Sequence, residues 1–175
     1  MNCKYTETMQ HDNYRESYIQ FDLSSLTNSI DDQNNNGALQ AGLVMHVRTN
    51  NKASQNPLLN VSYVEDNSWQ ETTLTLNTRP SSSGILVSQM IPAKGEWVTM
   101  DLTEVVNKVW RQNDKMMSLL LQGGDTTSAA TLGFATRDDT HDRQPYLRIA
   151  RDDGGASSAP PTAAPVATAM PVATL

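Results

Sequence analysis

Apolar and polar positions alternate along most of this chain with a period of two, the spacing expected of β-strands that bury one face. In residues 39–48 every odd-numbered position is apolar, whereas Gln40, His46 and Arg48 fall on the other face. Residues 18–23 follow the same scheme. Their inward residues are Ile19, Phe21 and Leu23, and their outward residues are Tyr18, Gln20 and Asp22. Both segments are therefore predicted to be half-buried strands.

Further strands are predicted from the same alternation at residues 59–63, 132–134 and 147–149. Residues 116–121 are almost continuously apolar, which is typical of a central strand covered on both faces. Residues 68–80 also have strand-like character closed by turn-forming residues. Polar or Gly-containing runs predict turns at residues 31–37, 80–84, 123–125 and 138–142.

One segment departs from this period. In residues 101–110 the apolar positions follow helical spacing, and Asp101 with Glu104 three positions later resembles a capping box. One short helix is therefore expected at an end of the fold. Many short strands with polar turns and a single helix predict an all-β protein, a jelly-roll β-sandwich of antiparallel strands.

Composition divides the 175 residues into two parts. Residues 1–150 are long enough to form one domain with its own core. Residues 151–175 are rich in Pro, Ala and Thr, which predicts a disordered linker or stalk that tethers the domain to other modules. Such a stalk is typical of extracellular proteins, yet the first residues carry no signal peptide. We therefore expect a secreted or surface location and a truncated N-terminus.

Charge and cysteine content narrow the class of partner. The formal net charge of −6 argues against nucleic acid as the main ligand. A single cysteine, Cys3, excludes an internal disulfide and a Cys-based zinc cluster. No stretch approaches the roughly 20 apolar residues of a membrane span.

Catalytic chemistry has no clear residue pattern in this chain. The acidic residues fall mainly in turn-like runs, whereas an acid/base pair requires two carboxylates in a dry cleft. The three histidines are scattered, with no partner at i+2 or i+4, so no transition-metal site is predicted. Calcium is the one metal left open, because Asp138, Asp139 and Asp142 could supply loop oxygens, although turn formation alone also explains them.

A set of short motifs occurs in a recognisable order. They are Lys4, Arg15, Tyr18-Ile19-Gln20-Phe21-Asp22-Leu23-Ser24, Trp69-Gln70-Glu71, Thr75-Leu76-Asn77-Thr78-Arg79-Pro80, Asp101-Leu102-Thr103, Phe134-Ala135-Thr136-Arg137-Asp138 and Pro145-Tyr146-Leu147. The ordered set resembles the DNRLRE-type modules of carbohydrate-binding module family 96, whose characterised members bind alginate. No single motif is specific, and the resemblance covers about residues 1–150.

The resemblance implies a non-catalytic jelly-roll module that binds an acidic polysaccharide. By the same resemblance, the ligand-binding residues are Lys4, Arg15, Asn77 and Arg137, with Tyr18 and Gln20 as second choices. Two departures are present: Leu76 stands where the family often has Trp, and members usually begin with another strand before the Lys. The first departure removes any contribution of that ring to the binding surface.

Physical chemistry favours the same ligand. Arg forms bidentate hydrogen bonds with carboxylates, and Lys supplies a point charge. Alternation directs Thr131, Gly133 and Ala135 outward, which would make a flat floor for a sugar chain that ends at Arg137. For each Arg, a salt bridge with a loop Asp is an equally good interpretation, and Asn77 is equally well explained as a turn residue.

Several alternatives stay open. Trp69, Trp97 and Trp110 are expected to anchor the core rather than to bind sugar, given the few aromatic residues. The chain could instead be a structural or adhesion domain without a sugar site, or part of a polysaccharide lyase.

Overall fold

The protein is described by a computed structural model that covers residues 16–24, 39–75, 77–112, 114–123, 130–139 and 141–151. The predicted linker from residue 152 onward and the N-terminal positions of Lys4 and Arg15 lie outside these residues, whereas Arg151 is the last residue of a strand. The elements, in chain order, are β1 (Glu16–Asp22), β2 (Leu39–Asn50), a 3₁₀ turn (Ala53–Gln55), β3 (Leu58–Val64), β4 (Ser82–Met90), β5 (Trp97–Asp101), α1 (Thr103–Arg111), β6 (Met116–Gly123), β7 (Leu132–Phe134) and β8 (Tyr146–Arg151).

The strands form two antiparallel sheets. Sheet I has the order β1-β6-β3-β4. In sheet II the long strand β2 pairs with β5 along one edge, and with β8 and then β7 along the other. This arrangement confirms the all-β sandwich predicted from the sequence, with one α-helix in the described part of the chain; jelly-roll connectivity stays a prediction. None of the described helices is long and apolar enough to cross a membrane.

The core lies between the two sheets and contains the inward residues that alternation predicts. From β1 these are Ile19 and Phe21, and from β2 they are Leu39, Ala41, Leu43, Met45 and Val47. Strand β6 lies between β1 and β3 and is buried on both faces over most of its length, as its near-continuous apolar sequence predicts.

Helix α1 packs against the start of β2 and closes one end of the core. Its first N–H, on Thr103, is accepted by the side chain of Asp101 at 2.8 Å. The helix is fixed to β2 by Asn107, which is buried. Asn107 Nδ2 donates to the carbonyl of Leu39 at 2.7 Å, and Asn107 Oδ1 accepts the Leu39 N–H at 3.1 Å. One side chain thus satisfies both backbone groups of the first β2 residue.

Two sequence predictions about residues 68–84 are wrong. Residues 68–80 form turns and irregular loop rather than a strand wherever they are described. Residues 80–84, predicted as a turn, instead lead into β4, which already begins at Ser82. Gly84 has a φ of 96° within β4, and the β3–β4 register shifts between Val61 and Val64. The glycine therefore permits an irregular stretch of strand rather than ending it.

Candidate functional site

A loop covers the outer face of sheet I. This covering loop comprises residues 65–81, and the structure describes all of them except residue 76. Trp69, which is only 8% exposed, packs edge-to-face on Tyr18 with 5.7 Å between ring centroids. Val64, Leu74 and Leu120 complete this second apolar cluster. The loop therefore buries part of a sheet face that alternation alone would leave open to solvent.

Polar contacts centred on Ser118, in the middle of β6, fix the covering loop in place. Its Oγ donates to Asn67 Oδ1 at 2.6 Å, and accepts from Trp69 Nε1 at 3.0 Å and from Gln20 Nε2 at 3.2 Å. The hydroxyl thus uses its one donor and both lone pairs. Because Ser118 is fully buried, this complete pairing avoids the cost of an unsatisfied polar group.

Two of the predicted ligand residues, Tyr18 and Gln20, lie beneath the covering loop. The hydroxyl of Tyr18 donates to the carbonyl of Pro80 at 3.2 Å, and Gln20 Nε2 donates to the carbonyl of Asn67 at 2.9 Å. Alternation placed both on the correct face, but the expectation that they face solvent is wrong because the loop closes over them. Their role as ligand residues stays a prediction, and a ligand would reach them only if the loop moved away.

Asn77 and Arg137 both lie at the covering loop and are exposed. Arg137 is 39% exposed, and its Nη2 lies 3.5 Å from Glu71 Oε2 of the loop. Its Nε lies 3.4 Å from Asp138 Oδ1. Four of the six predicted residues therefore lie in, under or against one loop, while Lys4 and Arg15 are outside the described residues.

Arg79 is a cation of the covering loop that sequence reasoning did not select. Its Nη1 lies 2.9 Å from Glu16 Oε2, at the first residue of β1. The other oxygen of Glu16 accepts from Gln122 Nε2 at 2.8 Å. Arg79 therefore ties the end of the loop to β1, and the ion pair explains why the poorly exposed Glu16 carboxylate is tolerated.

The predicted flat floor along β7 is not open. Thr131 is exposed, but Gly133 and Ala135 are buried. Ala135 follows the strand and donates its N–H to the carbonyl of His46 at 2.9 Å. Alternation gave the wrong surface here because β7 has only three residues and ends against β2, where tertiary contacts decide burial.

A different open surface lies on the outer face of sheet II. Trp97 is 45% exposed and Tyr146 is 39% exposed, and their ring centroids are 6.1 Å apart at an angle of 62°. His46, on the strand between them, contacts Trp97 edge-to-face at 5.1 Å. We call Trp97, Tyr146 and His46 the aromatic face. The core position expected for Trp97 is therefore wrong, whereas Trp69 and the half-buried Trp110 do pack as expected.

Charged side chains flank the aromatic face. Gly42 of β2 pairs with Arg148 on one side and with Asp101 on the other. Both residues are exposed. Asp101 accepts hydrogen bonds from the side chain and N–H of Thr103, which lower its pKa. Within the part of the chain that the structure describes, Arg148 has no side-chain hydrogen bond or ion pair.

The Asp-rich turn considered above as a calcium site is held by hydrogen bonds and ion pairs within the protein. Asp139 forms an ion pair with Arg48 and accepts the N–H of His141 at 2.9 Å. The His141 N–H and, to a smaller extent, Arg48 lower the pKa of Asp139. No cluster of three or more His, Cys, Asp or Glu side chains suited to a metal is found among the described residues. Calcium binding stays an untested expectation.

Comparison with known proteins agrees with the family resemblance. A search of curated proteins finds no significant match. The family profile of carbohydrate-binding module family 96, in contrast, matches residues 2–151, which include both sheets, the covering loop and the aromatic face. The chain therefore belongs to carbohydrate-binding module family 96.

Proposed function

We propose that this carbohydrate-binding module recognises an acidic polysaccharide such as alginate through cationic side chains at the covering loop. Lys4, Arg15, Asn77 and Arg137 would contact the glycan, and Tyr18 and Gln20 would support the loop from below. The observation that carries the proposal is the position of two exposed residues. Asn77 belongs to the covering loop, and Arg137 lies against Glu71 of the same loop.

The ion pairs of Arg137 are suited to exchange. They span 3.5 Å and 3.4 Å, and Glu71 and Asp138 are themselves substantially exposed. Exposed pairs of this kind contribute about 0–1 kcal/mol. A carboxylate of the ligand can therefore replace either partner at little cost and form the bidentate contact that Arg favours. Because the overall charge of −6 repels a polyanion, we expect modest affinity, and the contacts between cationic side chains and ligand carboxylates should weaken as salt is raised.

The module is proposed to act outside the cell as a non-catalytic accessory to other domains, tethered through residues 151–175. Release of unsaturated, ultraviolet-absorbing products from alginate by the purified chain would contradict the non-catalytic role and favour a lyase.

Affinity electrophoresis of the full chain tests the ligand class. Alginate in the gel should retard the protein, whereas a neutral glucan should not. The Arg137→Gln variant should be retarded less than the wild type. Arg111→Gln is the matched control, because Arg111 is exposed at the end of α1. Equal migration of the wild type in the alginate and glucan gels would rule out the acidic preference.

A further inference from the structure

The aromatic face combines two exposed rings on one sheet surface. Isolated exposed aromatics are common, but Trp97 and Tyr146 are in contact with each other, 6.1 Å apart between centroids. They come from β5 and β8, the two strands that flank β2. The neighbouring residues Val98 and Leu147 point to the opposite face of these strands and lie in the core. The fold therefore presents both rings to solvent.

Between the two rings, strand β2 carries small outward residues, while its exposed long side chains lie further along the strand, Gln40 beyond Gly42 and Arg48 beyond His46. Gly42 and Val44 are its outward residues next to His46, and both are buried. Val44 pairs with Thr99 on β5 and with Tyr146 on β8. The side chain of Thr99 occupies the space above Gly42, so side chains of the neighbouring strands cover β2 at this point.

Hydrogen-bonding groups of both kinds stand beside the rings. Arg148 lies two positions after Tyr146 on the same strand face, and Asp101 lies across Gly42 from it. The guanidinium of Arg148 is a donor without a partner among the described residues. The carboxylate of Asp101 is an acceptor. A pyranose ring offers an apolar C–H face together with hydroxyls that donate and accept, so it complements this arrangement better than a purely apolar or purely anionic ligand does.

His46 supplies an independent observation. Its ring is only 6% exposed, and its Nδ1 is buried without a hydrogen-bond partner in the described structure. Leaving a buried ring nitrogen unpaired is unfavourable. The residue nevertheless occupies this position, where its ring packs edge-to-face against the indole of Trp97.

We infer that the aromatic face is a second glycan-binding surface, on which pyranose units of a polysaccharide stack against Trp97 and Tyr146. Arg148 donates to a sugar hydroxyl or carboxylate oxygen, and Asp101 accepts from a hydroxyl. This surface extends beyond the covering-loop site and does not depend on the acidic preference proposed for it. Because stacking buries apolar area rather than pairing charges, its contribution is insensitive to salt.

Calorimetric titration with two matched probes tests the inference. One probe is a β-1,4-mannuronate hexamer and the other is β-1,4-mannohexaose, which has a hydroxymethyl group in place of each carboxylate. Trp97→Ala should weaken binding of the mannuronate by about tenfold or more, and Tyr146→Ala by about fivefold. Arg148→Gln should weaken it by about three- to tenfold.

Two variants serve as controls, and both should bind within about twofold of the wild type. Ile85→Ala removes an exposed apolar side chain from β4 of sheet I. Arg111→Gln removes an exposed cation from α1. Tryptophan fluorescence should change when sugar is added. A change that persists in Trp110→Phe but vanishes in Trp97→Phe assigns the sugar contact to the indole of Trp97.

The possible outcomes separate this inference from the proposed function. If Arg137→Gln abolishes mannuronate binding while Trp97→Ala and Ile85→Ala bind equally well, the aromatic face is not a binding surface and the covering-loop site stands. If both hexamers bind equally and both are lost in Trp97→Ala, the aromatic face is supported and the acidic preference is wrong. If binding at 1 M salt, where charge contacts are screened to about 3 Å, still depends on Trp97, stacking is confirmed.

Discussion

The indole Nε1 of Trp69 donates a hydrogen bond of 3.0 Å to the Oγ of Ser118, and this contact joins the covering loop to the central strand of sheet I. It also explains why a face that alternation assigns to solvent is buried. The loop does not extend the sheet, because its described residues form no strand. Its position depends on one ring and a few polar groups.

Substitutions of Trp69 should therefore separate the contribution of its buried ring to stability from that of its hydrogen bond. Trp69→Ala should lower the free energy of unfolding by about 3–5 kcal/mol, the usual cost of truncating a buried Trp. Trp69→Phe keeps a ring against Tyr18 and should lose about 0.5–1.5 kcal/mol for the hydrogen bond in addition to its packing loss. Urea denaturation followed by circular dichroism measures both. Trp110→Phe is the control, and an equal loss there and in Trp69→Phe would contradict a special role for the hydrogen bond.

Gln20 is expected to stabilise the loop rather than to contact sugar. Gln20→Leu removes the donor to the Asn67 carbonyl and one of the two donors to Ser118 Oγ, so it should lower the free energy of unfolding by about 1–3 kcal/mol. Affinity of the folded variant for mannuronate should stay within about twofold of the wild type. Gln112→Leu, at an exposed position, controls for the added apolar group. Lost affinity with unchanged stability would instead place Gln20 in the binding site.

Asn107 should be among the most sensitive polar positions of the fold. Asn107→Ala leaves the N–H and carbonyl of Leu39 without their partner, and the expected loss is at least about 2 kcal/mol. Glu104→Ala, on an exposed position of the same helix, should change stability by less than about 0.5 kcal/mol. Thermal denaturation of the two variants makes the comparison. Similar melting temperatures would show that the α1–β2 contact contributes little.

The lowered pKa values of four aspartates predict that the protein loses stability in acid. Hydrogen bonds from the side chain and N–H of the Ser or Thr two positions on lower the pKa of Asp22, Asp66 and Asp101, and the N–H of His141 has the same effect on the pKa of Asp139. Each pKa is lower in the folded state than in the unfolded chain, where it is about 3.9. The stabilisation is therefore fully present above that pH and is lost as the pH falls below it.

Asp101→Asn tests this pH dependence, because the amide oxygen can still accept the Thr103 N–H but carries no charge. The variant should be less stable than the wild type at neutral pH, and the difference should shrink as the pH is lowered below about 4. Urea denaturation at a series of pH values provides the measurement. A difference that is constant from pH 7 to pH 2 would show that the Asp101 charge does not contribute.

The parts of the fold that face the core could be predicted from the sequence, because core burial imposes a period of two on the strands that form it. Residues 39–48 show this directly and form a strand with the predicted inward face. Residues 116–121 were recognisable by a different signal, a near-continuous apolar run, and form the predicted strand buried on both faces. Strand β4 could not be recognised, because Ile85, Leu86 and Met90 are exposed and the serines and Gly84 resemble a turn.

The candidate site was less predictable because its burial depends on contacts distant in sequence. Nothing near Tyr18 or Gln20 indicates that residues 65–81 return to cover them. The position of Trp97, in contrast, could have been found, since Val98 and Met100 alternate with it and occupy the core. Applying alternation to residues 97–101 would have placed the indole on the outer face. The core position was expected instead because the chain has few aromatic residues.

The attachment of the covering loop has an evolutionary consequence. Because the loop is held at a few positions, among them Trp69, Arg79 and the polar contacts of Ser118 and Gln20, mutations at its other exposed positions can change its surface without disturbing either β-ladder. If the covering loop binds glycan as proposed, ligand preference can diversify through these positions while the sandwich beneath is inherited unchanged.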